Sequence, residues 1–198
     1  MPSQRLPYMQ DFSSDPAWGR SNATNFKWDE ASGSYYSKSI LNSQEYAMVE
    51  TDYYGGSFQI EFDIKETSRD PNAMTNFGLF GPTYASYPGA LPYDPCIFVS
   101  LGSPGGVSSN NIFQLVAVTD TGVVCHSGSE HVLVEINKWY RIYLSYDSLN
   151  KKVAVEVRER DTNNLVWEVK SPSLTGSFST EMKYLGLSMA GGFGYNPG

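Results

Sequence analysis

Apolar and polar residues alternate through most of this chain, and that two-residue period predicts strands. In 58–64, Phe58, Ile60, Phe62 and Ile64 share one face while Gln59, Glu61 and Asp63 take the other, as a half-buried strand requires. The same period turns Tyr140, Ile142, Leu144 and Tyr146 inward, then Val153, Val155 and Val157, then Leu165, Trp167 and Val169. Asp147 to Lys151 and Asp161 to Asn164 separate these runs; their Asp and Asn side chains bond the backbone and suit turns. Three successive strands so joined form a β-meander. The runs at 97–101 and 112–118 are apolar on both faces, which predicts central strands covered on each side. Further strands are expected at 34–41, 46–50, 77–81, 123–128, 132–136 and 184–190. No window longer than about ten residues keeps a helical apolar stripe without Gly, Pro or Asn interrupting it.

Ten to twelve short strands predict an all-β protein: a two-sheet antiparallel β-sandwich of the jelly-roll kind. The length of 198 residues suits one such domain spanning 1–198. The last eight residues, Gly191 to Gly198, have loop composition where a closing C-terminal strand is expected. Two long segments, 81–95 with its tyrosines and prolines and 102–111 with Gly, Ser and Asn, read as loops.

Composition narrows the function. A net charge of −7, with no basic cluster larger than Lys151-Lys152, gives nucleic acid no electrostatic purchase. No apolar run approaches 18 residues, and Met1 to Gln10 lacks the basic and apolar regions of a secretory signal, so membrane insertion is not expected. Cys96 and Cys125 fall on the two strands flanking 112–118 in a sequential meander, about two strand spacings apart, and are expected as free thiols. Asn22-Ala23-Thr24 has the spacing of a glycosylation acceptor. His126 and His131 sit in no nucleophile motif, and with Cys125 they fall short of a zinc ligand set. Ser103-Pro104-Gly105-Gly106 precedes no helix and reads as a turn.

Four segments together resemble the concanavalin A-like lectin and glucanase superfamily, in its laminin-G-like and carbohydrate-binding branch. They are Asp11 to Trp18, Phe58 to Lys65, Asn76-Phe77-Gly78-Leu79-Phe80, and Lys138-Trp139-Tyr140-Arg141-Ile142. The resemblance implies carbohydrate as the partner, an extracellular or cell-surface setting, and neighbouring domains of a larger protein. It also implies structural calcium in related domains, for which Asp11 and Asp15 are the position-matched ligands here, although a hard cation takes six or more oxygens. Within the superfamily, laminarinase-like glycoside hydrolases carry an E-x-D-x-x-E motif, matched here by Glu61, Asp63 and Glu66. The resemblance would make Glu61 the nucleophile, Asp63 its helper and Glu66 the acid/base. Lys65 stands where that motif has an apolar residue, and Tyr53 to Ser57 replaces its tryptophan-rich strand. A solvated strand face accounts for the same carboxylates without chemistry.

Aromatic residues outside the alternating positions are the better functional signal, because sugar rings stack on Trp and Tyr while nearby amides and carboxylates bond their hydroxyls. The candidates are Trp18, Tyr53, Tyr54, Tyr84, Tyr87 and Tyr93; each could equally pack beneath a loop. Trp139 and Trp167 lie in the meander and are expected in the core. The sequence thus reads as a non-catalytic carbohydrate-binding module, with a laminin-G-like protein-interaction domain and a laminarinase-like hydrolase as the alternatives.

Overall fold

The structure, a computed structural model, describes residues 5–37, 44–68, 73–81, 95–102, 112–128, 134–178 and 182–191. Within them are thirteen strands and no helix. They are β1 (Gly19–Arg20), β2 (Phe26–Asp29), β3 (Ser34–Ser37), β4 (Gln44–Glu50), β5 (Phe58–Lys65), β6 (Ala73–Phe80), β7 (Cys96–Gly102), β8 (Ile112–Thr119), β9 (Gly122–Gly128), β10 (Trp139–Asp147), β11 (Lys152–Glu159), β12 (Leu165–Lys170) and β13 (Tyr184–Gly191). A seven-stranded sheet runs β1-β4-β13-β6-β7-β8-β9, a four-stranded sheet runs β12-β11-β10-β5, and β2 and β3 form a hairpin. All pairings are antiparallel. The chain leaves the larger sheet after β4, enters the smaller one as β5 and returns as β6, which is the crossing of a sandwich.

The predicted meander is β10-β11-β12, and β5 pairs β10 without a break from Phe58↔Tyr146 to Lys65↔Trp139. Inward residues of these strands meet Leu79, Ile97, Val99, Leu101, Phe113, Leu115 and Ala117 of the larger sheet to form the main core. Each Val, Leu, Ile or Phe side chain so placed contributes about 1.5–3 kcal/mol on burial. Trp167 belongs here, stacked on Phe113 at 15°. Trp139 does not: Tyr140 takes the inward position, so its neighbour on the strand points the other way, a correction that follows from strand parity alone.

The larger sheet is buried on its second face too. Met48, Phe80, Cys96, Phe98, Val116 and Val118 form a cluster there, which is why the runs of β7 and β8 show no alternation. Two glycines lie opposite each other in this sheet, Gly78 and Gly186. A methyl on Gly78 would overlap the Ile97 carbonyl oxygen and the Phe98 Cα, and one on Gly186 would overlap the Ala47 carbonyl oxygen. On the same face, Ser100 donates to Asn76 Oδ1 at 2.6 Å and Asn76 Nδ2 donates to Ser188 at 3.2 Å, a buried polar row that satisfies itself.

A third cluster gathers Trp18, Phe26, Ala47, Val49 and Leu187, with Tyr8, Phe12 and Tyr35 against it. Cys96 lies opposite Val118 and Cys125 opposite Ala117. Adjacent residues of β8 face opposite ways, so the two thiols sit on opposite faces of the sheet, and neither is in a disulfide. Of the expected strands, 34–41 is described only as β3, and the described part of 132–136 is not a strand. There Glu135 N donates to the Tyr140 hydroxyl, and Asn137 takes φ 64°. β1 and β2 are additional strands, too short to show a period.

Candidate functional site

The loop between β4 and β5 holds two adjacent tyrosines with opposite fates. Tyr53 is 5% exposed, its ring edge-on to Phe58 at 5.5 Å. Its hydroxyl donates to the Gly56 carbonyl at 2.7 Å. Burial pushes that phenol well above the ordinary tyrosine value. Gly55 at φ 80° supplies a conformation that side chains resist. With Tyr53 anchored and Gly55 turning the backbone, Tyr54 stands out at 81% exposed.

A second loop is fastened to this one. Ser57 Oγ accepts from Ser148 N at 2.9 Å, and the two hydroxyls are 2.9 Å apart. In the β10–β11 turn, Asp147 accepts from the amides of Leu149 and Asn150 and from the Asn150 side chain. Those bonds hold the Asp147 carboxyl below the usual carboxylate range, the Asn150 side chain first. Leu149 projects at 89% exposed. One end of the sandwich therefore presents an exposed ring and an exposed apolar tip on two pinned loops, edged by Asp52, Ser57 and Asn150.

The other aromatic candidates divide. Trp18 is 4% exposed, between Phe12 and Tyr35 at 5.6 and 5.1 Å, and its indole N–H donates to the Tyr8 hydroxyl. Like Tyr53, it has no ring face open to a ligand. Tyr84, Tyr87 and Tyr93 lie outside the described residues, as does His131.

The carboxylates of the E-x-D-x-x-E motif do not share an environment. Asp63 is gripped by Arg141 through two bonds of 2.8 and 3.0 Å and by Arg160 at 3.1 Å. Glu61 is exposed beside Arg141 at 3.4 Å. Glu66 follows the last residue of β5, with Oε2 buried. A retaining hydrolase needs its two carboxyl groups facing one site; the unbroken β5–β10 register places Glu61 and Asp63 on one face and ends at Lys65, one residue before Glu66.

On that same face, Trp139 carries Lys65 at 4.8 Å and Arg160 at 5.4 Å from its ring centroid. This cation-capped indole was not anticipated from sequence, though the inward parity of Tyr140 was a sufficient signal.

At the N-terminus, Asp11 Oδ1 accepts from Ser13 N at 3.0 Å and Asp15 Oδ1 from Ala17 N at 2.9 Å. Each carboxylate closes its own turn, and Ser13 holds Asp11 below the usual range. Among the described residues no three His, Cys, Asp or Glu side chains converge. Asp11 and Asp15 alone do not supply the oxygen cage that calcium takes.

No protein-family model matches the sequence, and no curated protein matches it. Solved structures do. The chain is similar to a Bacillus licheniformis β-glucanase at TM-score 0.59 and 11% identity, over 95% of this chain and 89% of that one. It is similar to a Lotus tetragonolobus seed lectin at TM-score 0.57 and 11% identity, over 89% and 86%. The exoplasmic/lumenal domain of VIP36, in a Ca2+/Man3GlcNAc-bound form, matches at TM-score 0.52 and 7% identity, over 92% and 88%. At such identities the likeness concerns architecture, and that architecture is plain: the chain has the concanavalin A-like jelly-roll fold shared by lectins and glucanases.

Proposed function

We propose that this chain is a non-catalytic carbohydrate-binding module. The observation that carries the reading is Tyr54, a ring 81% exposed on a loop otherwise fixed by Tyr53, Gly55 and Ser57. A rigid exposed ring offers stacking area at little entropic cost on binding, and Asn150, Ser57 and Asp52 nearby suit sugar hydroxyls. Tyr84, Tyr87 and Tyr93 are proposed to add rings to the same ligand. The arginines on Asp63, and the contrast between exposed Glu61 and the buried Glu66 oxygen, support binding over hydrolysis. We place the module in an extracellular or exoplasmic setting, within a single domain that works beside others.

The test is a glycan-array screen of the purified chain, with and without added calcium, followed by a reducing-sugar assay on any polysaccharide bound. Binding without product is expected. Tyr54→Ala should weaken it about tenfold, ~1.4 kcal/mol, with the melting temperature unchanged because the ring buries almost nothing. Product lost in Glu61→Gln would instead establish the hydrolase, and no glycan bound would favour the laminin-G-like protein-interaction domain.

A further inference from the structure

Asn22-Ala23-Thr24 is the one Asn-x-Ser/Thr triplet in the chain, and the Tyr54 site makes no use of it. It lies in the turn from β1 to β2, which is fastened to β4 residue by residue. Ser21 N donates to the Tyr46 carbonyl at 3.0 Å, and Ser21 Oγ accepts from Tyr46 N at 2.9 Å. Phe26 N then closes the turn on the Asn22 carbonyl at 3.1 Å. Asn22 Oδ1 accepts from Thr24 N at 2.9 Å and from Asn25 N at 3.4 Å. The triplet is thereby folded back on itself as an Asx turn, with Ala23 and Thr24 exposed.

The amide nitrogen of Asn22 is as closely defined. Nδ2 donates to Glu45 Oε1 at 2.9 Å. The other Glu45 oxygen is taken by Asn25 Nδ2 at 2.7 Å, from a side chain only 3% exposed, so the carboxylate is held between two amides. A primary amide carries two hydrogens. Among the described residues no second acceptor meets Asn22 Nδ2, and the side chain is partly open to solvent. A substituent that replaces the spare hydrogen leaves every one of these bonds in place.

We propose that Asn22 is an N-glycan attachment site, modified by transfer from a lipid-linked oligosaccharide diphosphate. Nδ2 forms a bond to the anomeric carbon of the first sugar and gives up its spare proton. The bond from that carbon to the diphosphate oxygen breaks, and the diphosphate leaves with the electron pair. The linked nitrogen keeps one hydrogen, and that hydrogen keeps Glu45. The position suits the fold. Glu45 stands at the start of β4 and Tyr54 follows its end, about 17 Å along the strand at about 3.4 Å per residue. A bulky, solubilising chain on Asn22 thus leaves the Tyr54 end open. Attachment rests on the exoplasmic setting proposed above, the side on which such transfer takes place.

The test is expression of the full chain behind a secretory leader in a eukaryotic host, with the intact mass of the secreted protein measured. The wild type and Thr24→Ser should carry one glycan and Thr24→Ala none; Thr24 meets Asn22 through its backbone amide, so these variants spare the turn. Because the leader supplies the setting, a bare wild type would overturn the attachment site and leave the setting standing. Thermal melts then read the geometry. Trimmed to its first sugar by an endoglycosidase, the wild type should melt within about 1 °C of Thr24→Ala. Release by an amidase instead leaves an aspartate at position 22, facing Glu45 with no hydrogen to give. That form should melt about 2–4 °C lower. A trimmed glycoprotein that melts as low as the amidase-treated form would also overturn the proposal, since the linked amide would then have lost Glu45.

Discussion

Tyr53 and Tyr54 show how one backbone step separates structure from function. Sequence treats the pair as equivalent; the chain must bury one to aim the other, and Phe58 at 5.5 Å takes Tyr53. Tyr53→Phe should therefore cost about 1 kcal/mol, the usual net worth of a hydrogen bond such as that to the Gly56 carbonyl. It should also change the alkaline limb of the stability curve. Burial raises the phenols of Tyr53, Tyr140 and Tyr146, so the folded state keeps protons that the unfolded state gives up near pH 10. Their contribution is full below that pH and declines as pH rises above it toward the folded values. Urea melts between about pH 8 and 11 should show stability falling in the wild type and falling less steeply in the variant. Trp18 was beyond reach from sequence for a different reason: Phe12 and Tyr8 are near neighbours, but Tyr35 and Leu187 are brought to it only by the fold.

Elements were legible in proportion to how unequal their two faces are. β5, β10 and β11 divide one covered face from one wet face, and their alternation could be read directly. β7 and β8 are covered twice, so only their length and apolar continuity marked them. The segment at 132–136 alternates like a strand but, where described, finds no sheet to join, and Asn137 at φ 64° turns it into β10. The glycines were legible only as residues. Gly78 is required because β6 and β7 run so close that a methyl would meet main-chain atoms of Ile97 and Phe98. Gly78→Ala should lower stability by at least about 2 kcal/mol, seen as an earlier urea midpoint with an unchanged slope. The candidate site was half legible: the tyrosine pair stood out in the sequence, while its second loop, fastened through Ser148, was invisible because that bond spans 91 residues.

At the scale of the molecule, the sandwich has two outward faces of different character. The smaller sheet shows Glu61, Asp63, Arg141, Arg158 and Arg160 in interlocking pairs, whereas the larger sheet buries an apolar cluster and a row of neutral side chains on its second face. Loss of the outer apolar cluster need not coincide with loss of the main core. Cys96 belongs to the first and Cys125 packs against the second, so the chain carries two natural thiol clocks, one per core. Cys125 is half-buried, with its thiol raised by burial. It should react first with a maleimide under native conditions, faster as pH rises. Cys96, 8% exposed, should wait for its own cluster to open. Mass spectrometry of the labelled peptides over time would resolve the two rates; equal rates would mean that the cluster around Cys96 opens as readily as the half-buried Cys125 thiol is reached.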